Sequence, residues 1–270
     1  MKPLLGIYRE KEFSPGRHQS NDFLLLEEIA SRLRERNVAV DLLSLEQANG
    51  HPAQADMVFS MCQGRPALEN LDAWERDGIR IINSPRSALN THRDRLPPLM
   101  NKAGVAFPAT QLVETTNGSH PREIDVNGGV WLKRGDVHAA IASDVQWVDS
   151  LEKLEEGLAD FARRGIDLAA VQAHREGDEI KFHGVADVGF FHWFYSRDAR
   201  SYNFALHELK ELAGRAAAAA GLDVFGGDVI VSPSGELTLI DLNDWPSFAP
   251  CREEAASAIA ELIMRRVHAN

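Results

Sequence analysis

Three residues near the end of the chain have the types and spacing to hold a metal ion: Asp228, Asp241 and Asn243. Asp241 and Asn243 are two apart on a strand-like stretch, so their side chains share one face. Asp228 lies on the preceding β-branched run, Asp228 to Val231, and Ser232-Pro233-Ser234-Gly235 supplies the turn between the two. Folded as a hairpin, the segment brings two carboxylates and an amide oxygen to one place. Such a hard, oxygen-rich set suits magnesium that also touches nucleotide phosphates. Read alone, the trio fits equally well a hairpin that ends in ordinary turn-forming Asp and Asn.

The elements that must position these groups are legible in outline. Leu4 to Tyr8 reads as a strand, and Arg9 to Asn21, with Pro15 and Gly16, as a long loop whose Arg9, Lys11, Arg17 and His18 make it locally basic. Asn21 or Asp22 then caps a helix reaching Glu35. Strands at Val38–Leu43, 56–61 and 79–82 alternate with a helix over 68–77. That alternation predicts a parallel sheet covered by helices. No G-x-G-x-x-G follows the first strand, so a dinucleotide is not expected there. A further helix is predicted from Arg86, a strand over Gly129–Lys133, a helix capped by Asp149 or Ser150 and reaching Arg164, and a strand over Leu168–Gln172. Gly189 to Tyr195 is the most aromatic stretch. Alternation puts Phe191, Trp193 and Tyr195 on one face, either as sheet core or as one wall of a substrate pocket with His192 at its rim. Helices over 203–221 and 253–267 complete the chain.

The D-x12-D-x-N spacing of Asp228, Asp241 and Asn243, with Pro246 shortly after, resembles the end of the ATP-grasp fold. That superfamily contains D-alanine–D-alanine ligase, glutathione synthetase, the ligases that add glutamate to ribosomal protein tails, and the inositol trisphosphate kinases. The segment T-H-R-D-R-L-P-P-L-M-N-K-A-G-V-A-F-P resembles the family's first phosphate-binding segment, with Arg95 where a lysine is usual. The resemblance implies that Lys133 reaches the α-phosphate and adenine. It places a shortened, glycine-poor flap at Gly135 to Ala140, with His138 taking over some of its contacts. Gln172, Ala173 and Arg175 stand for the adenine hinge, Glu179 for the ribose carboxylate, and Lys181 for the cation that contacts phosphate or acyl group. The fold it implies is α/β, becoming α+β in the ATP-binding part: an ATP-grasp fold behind a Rossmann-like domain. The divisions are 1–85 for that substrate domain, 86–172 for the central subdomain, and 173–270 for the C-terminal subdomain with the metal site.

The activity implied is ATP-dependent joining of a carboxylate to an amine through an acyl phosphate, with ADP released. ATP and Mg2+ are the cofactors, with two ions or Mn2+ allowed. A small-molecule kinase of the inositol phosphate type and a non-catalytic nucleotide-binding protein are the alternatives. Composition narrows the partners. The net charge of -11 over 270 residues argues against a nucleic acid held by phosphate neutralisation. No apolar run approaches a membrane span. MKPLLGIYREKEF turns charged too soon for a secretion signal. With only Cys62 and Cys251, a disulfide framework is not expected and a cytoplasmic setting is. Small-molecule substrates and a homodimer complete the expectation.

Overall fold

The computed structural model describes residues 2–14, 16–48, 54–116, 120–139, 141–196 and 199–269. They form three four-stranded sheets. The first is parallel, in the order β2-β1-β3-β4, from β1 (Leu4–Ile7), β2 (Val40–Leu43), β3 (Met57–Ser60) and β4 (Arg80–Ile82). Its strands are short and β1 and β3 are wholly buried, as expected for a parallel sheet covered on both faces. Helix α1 (Arg17–Arg34), the short α2 (Leu45–Ala48) and α3 (Arg65–Arg76) supply the crossovers.

The other two sheets are antiparallel. One contains β5 (Thr110–Glu114), β6 (Val130–Arg134), β7 (Val145–Val148) and β8 (Leu168–Ala173), in the order β5-β8-β6-β7. Helix α6 (Leu151–Arg163) covers one face: Leu154, Leu158 and Phe161 pack against Val130, Leu132 and Val171. The Ser150 hydroxyl caps α6, accepting from the Lys153 backbone N–H. The last sheet runs β10-β9-β11-β12, from β9 (Asp178–Val185), β10 (Phe190–Tyr195), β11 (Val224–Val231) and β12 (Leu237–Asp244). Helix α7 (Leu206–Ala220) packs on its back through Leu209, Leu212, Ala213 and Ala216. Between the first two sheets the chain makes α4 (Pro85–Asn90), a turn, and α5 (Leu96–Lys102).

The final helix, α8 (Arg252–His268), packs chiefly on α1 and covers only one end of the sheet it follows. Ala255, Ile259, Leu262 and Ile263 share a core with Leu26, Ile29 and Leu33 of α1, with Val185 and Val224 at its edge. The two ends of the chain are thus packed together. No described helix is long and apolar enough to cross a membrane.

Several expectations change. Helix α1 starts at Arg17, because Gly16 at φ 60° makes the N-cap turn; the predicted loop is correspondingly shorter. Asp22 therefore caps nothing: it is buried and accepts from the Arg9 guanidinium (2.8 Å) and the Ser14 hydroxyl (2.6 Å). Pro15 and the side chains of Arg17 and His18, part of the expected basic loop, lie outside the described residues. The helix foreseen from Arg86 is two helices, since Pro97 starts α5 afresh. Of the two readings of the aromatic stretch, the core one holds. Phe191, Trp193 and Tyr195 pack toward the α7 core, and His192 is on the opposite face.

Candidate functional site

The face of the last sheet turned away from α7 carries the polar residues in rows. Cross-strand register aligns Phe194, Lys181, Asp228 and Asp241 in one row across β10, β9, β11 and β12. Two residues along each strand, His192, His183, Gly226 and Asn243 form the next. Paired residues put their side chains on the same face, so both rows look the same way.

The first row is charged, and each of its carboxylates is paired with a cation. The Lys181 ammonium sits 2.7 Å from Glu179 and 2.9 Å from Asp228. Those two carboxylates hold its pKa well above the usual lysine range, against the opposing effect of burial. Burial raises the Asp228 carboxyl, and Lys181 counters it. Asp241 accepts from Arg93 at 2.8 Å, and both groups are buried. Burial opposes the charge of Asp241, but Arg93 and Lys133 outweigh it and hold its pKa far below the usual carboxylate range.

The middle sheet reaches the same place from the other side. Lys133 on β6 is buried, and its ammonium donates to the Ile240 carbonyl at 3.3 Å. Gln172 on β8 donates to the same oxygen at 3.3 Å. Ile240 is the extra residue of a β-bulge: Leu239 pairs with Val229 and Asp241 with Asp228, leaving Ile240 outside the ladder. Burial lowers the Lys133 pKa to about 8, while Asp241 pulls it back up. Lys133, Gln172, Arg93, Ile240 and Asp241 line a closed slot of about 10 Å³ between the two sheets.

Arg93, two residues before the arginine singled out from sequence, is the one that meets Asp241. Arg95 stands at the N-cap of α5 and takes no part in the cluster. The signal available was Pro97. A proline in the first turn of a new helix makes 91–95 a turn, and only the structure tells which of its two arginines turns inward. Arg93 also donates to the carbonyls of Arg134 and Val137 (3.2 Å each). It thereby ties down the short segment expected to act as a flap. The ring of His138, from that segment, is within hydrogen-bond distance of the Thr91 hydroxyl (2.8 Å), and burial lowers its pKa to about 3. Ala140, the flap's far end, lies outside the described residues.

At the expected hinge, the Ala173 N–H donates to Ala109 O at 2.9 Å, and Arg175 is exposed on the turn that follows. The loop after β1 meets the end of β12: Arg9 donates to Trp245 O at 2.5 Å, and Trp245 donates to Ile82 O at 3.1 Å.

The donor set can be tested against magnesium. Asp228, Asp241 and Asn243 offer only oxygen atoms, on neighbouring positions of paired strands, which matches magnesium's preference for one or two carboxylates with substrate phosphates and water. No group of three or more His, Cys, Asp or Glu converges among the described residues. An ion here would have two carboxylates and an amide as donors, with Arg93 and Lys181 as the competing cations.

No protein-family model matches the chain, and no curated protein matches it by sequence. Solved structures do match, over nearly its whole length. D-alanine–D-alanine ligase from Bacillus anthracis, complexed with ATP, superposes with a TM-score of 0.77 at 12% identity, covering 99% of this chain and 97% of that one. D-alanyl-alanine synthetase A from Vibrio cholerae O1 biovar eltor gives 0.72 at 12% identity, covering 98% and 97%. The ATP-grasp ligase PsnB, complexed with minimal precursor, gives 0.62 at 14%, covering 98% and 99%. A parallel N-terminal sheet followed by two antiparallel sheets is the arrangement these ligases share, and the chain has the ATP-grasp fold from end to end.

Proposed function

We propose that the protein is an ATP-dependent, ADP-forming ligase that joins a small carboxylic acid to an amine through an acyl phosphate. The observation that carries the reading is the convergence of opposite charges from facing sheets. Lys133 from the middle sheet and Arg93 from the turn before α5 meet Asp241, while Lys181 meets Asp228 and Glu179. A carboxylate and a γ-phosphate repel each other, so their approach needs cations fixed in advance and water kept out.

In this reading Lys133 and Arg93 hold the phosphate chain, and Lys181 sits where the γ-phosphoryl group meets the acid. Gln172 and the backbone of Ala173 and Arg175 border the adenine, Glu179 takes the ribose, and His138 closes over the phosphates. Asp228, Asp241 and Asn243 would hold magnesium, whose contribution is to neutralise the phosphates. Nucleotide that reaches Lys133 and Gln172 would replace their hydrogen bonds to Ile240 O.

The test is turnover. Protein with magnesium and ATP, given pools of small acids and amines, releases ADP and free phosphate only when both pools are present. ADP without free phosphate would make it a kinase. ATP binding without turnover would make it a binding protein. Asp241→Ala should abolish ADP release; a variant as active as the parent removes the metal assignment.

A further inference from the structure

The second row of the open face is unlike the first: His192, His183, Gly226 and Asn243 carry no fixed charge. His183 is held by its surroundings. A Cβ on Gly226 would lie 2.9 Å from the His183 ring and 2.8 Å from Pro246, so only glycine leaves the ring its place. Phe248 and Phe194 pack beside it, with ring centroids at 5.0 and 5.8 Å. Its Nδ1 is 3.6 Å from the Cys251 sulfur.

That last contact sets the tautomer. Burial pushes the Cys251 thiol up to about 11, so it keeps its proton and donates. A thiol sulfur is a weak acceptor and an imidazole nitrogen a good one, so Nδ1 accepts and the ring proton sits on Nε2. Burial next to His192 and Lys181 holds His183 down to about 4, which leaves it a neutral donor at neutral pH.

We infer that the Nε2–H of His183 binds the acyl oxygen of the carboxylate substrate. The inference rests on the ligase reading and assigns the acid's place within it. The charged row suits phosphate. A neutral imidazole donor suits an oxygen whose charge grows during reaction, because it does not pair beforehand with the carboxylates next door. When the amine adds to the acyl carbon, a C–N bond forms and the C=O pair moves onto this oxygen. On collapse the pair returns, phosphate departs with the C–O electrons, and the amine's proton leaves with it.

The experiment uses the full-length protein, nitrogen-15 labelled at histidine, with magnesium, a non-hydrolysable ATP analogue and sodium acetate as the minimal carboxylate. Before acetate, His183 should show the Nε2–H tautomer, and Cys251→Ala should mix the two tautomers. Acetate should then move the His183 Nε2 resonance saturably, and His183→Gln should lose acetate binding while still binding the nucleotide analogue. Nucleotide binding with unmoved histidine resonances overturns this inference and spares the ligase reading. Failure of the nucleotide itself to bind overturns both.

Discussion

Asp241 and Asp244 are buried carboxylates three residues apart on β12, and their environments drive them in opposite directions. Asp241 has Arg93 at 2.8 Å and Lys133 nearby, and its pKa falls well below the usual range. Asp244 has the amide of Asn83 and the more distant charge of Arg9, and burial raises it to about 7. Burial is therefore common to both, and the partner decides. A full cation turns a buried carboxylate into a permanent anion, which is what phosphate and metal chemistry needs. An amide leaves it close to neutral, which suits a packing role: Asn83 also accepts from the backbone N–H groups of Asp223 and Val224 and so pins β11 to the first sheet.

The largest effect that would break this contrast comes from Asp241→Asn. The change strands Arg93 among buried groups, and removing one partner of such a pair costs about 3–5 kcal/mol. Urea unfolding at pH 7 should show that loss. A loss below ~1 kcal/mol would mean that Arg93 finds another partner and the pair is not the anchor described.

A middling effect is expected from Asp244→Asn. Folded Asp244 binds its proton more tightly than the unfolded chain, so native protein carries more protons between about pH 4 and pH 7. Stability must fall as pH rises through that window, by up to ~4 kcal/mol for this group. Asp241 has the opposite sign: its contribution is present above the ordinary carboxylate range and is lost only in stronger acid. Unfolding curves at pH 5 and pH 8 should show the wild-type decline and a flatter profile for Asp244→Asn. Identical slopes would dismiss the raised pKa.

The smallest test asks whether burial also raises an unrelated acid whose nearby cation, Arg9, is outweighed. Cys62 is buried, and its pKa is pushed up to about 12. At pH 8 iodoacetamide should leave it unmodified until urea is added. Labelling of the native protein would show that this region opens.

The sequence made some of this legible and hid the rest for identifiable reasons. The hairpin over Asp228, Asp241 and Asn243 was readable because a Ser-Pro-Ser-Gly turn joins two β-rich runs, but the bulge at Ile240 that sets Asp228 opposite Asp241 was not. The parallel first sheet followed from alternation of short apolar strands with helices. Arg93 was not readable: two arginines in five residues differ only in how a turn folds. The face of the aromatic strand was not readable either, since alternation says which side chains travel together and not which side meets solvent. The home of α8 is a matter of long-range packing, and its amphipathic pattern would have served on any sheet.

The extra residue at Ile240 has a consequence for the whole open face. Leu237 and Leu239 point into the α7 core, so an unbroken count by twos would send Asp241 and Asn243 inward after them. Instead Leu242 continues the apolar side, and the odd-numbered residues change allegiance midway along β12. A single unpaired link thus resets the phase of the strand: upstream it builds a hydrophobic floor, and downstream it offers oxygen atoms to whatever enters the cleft.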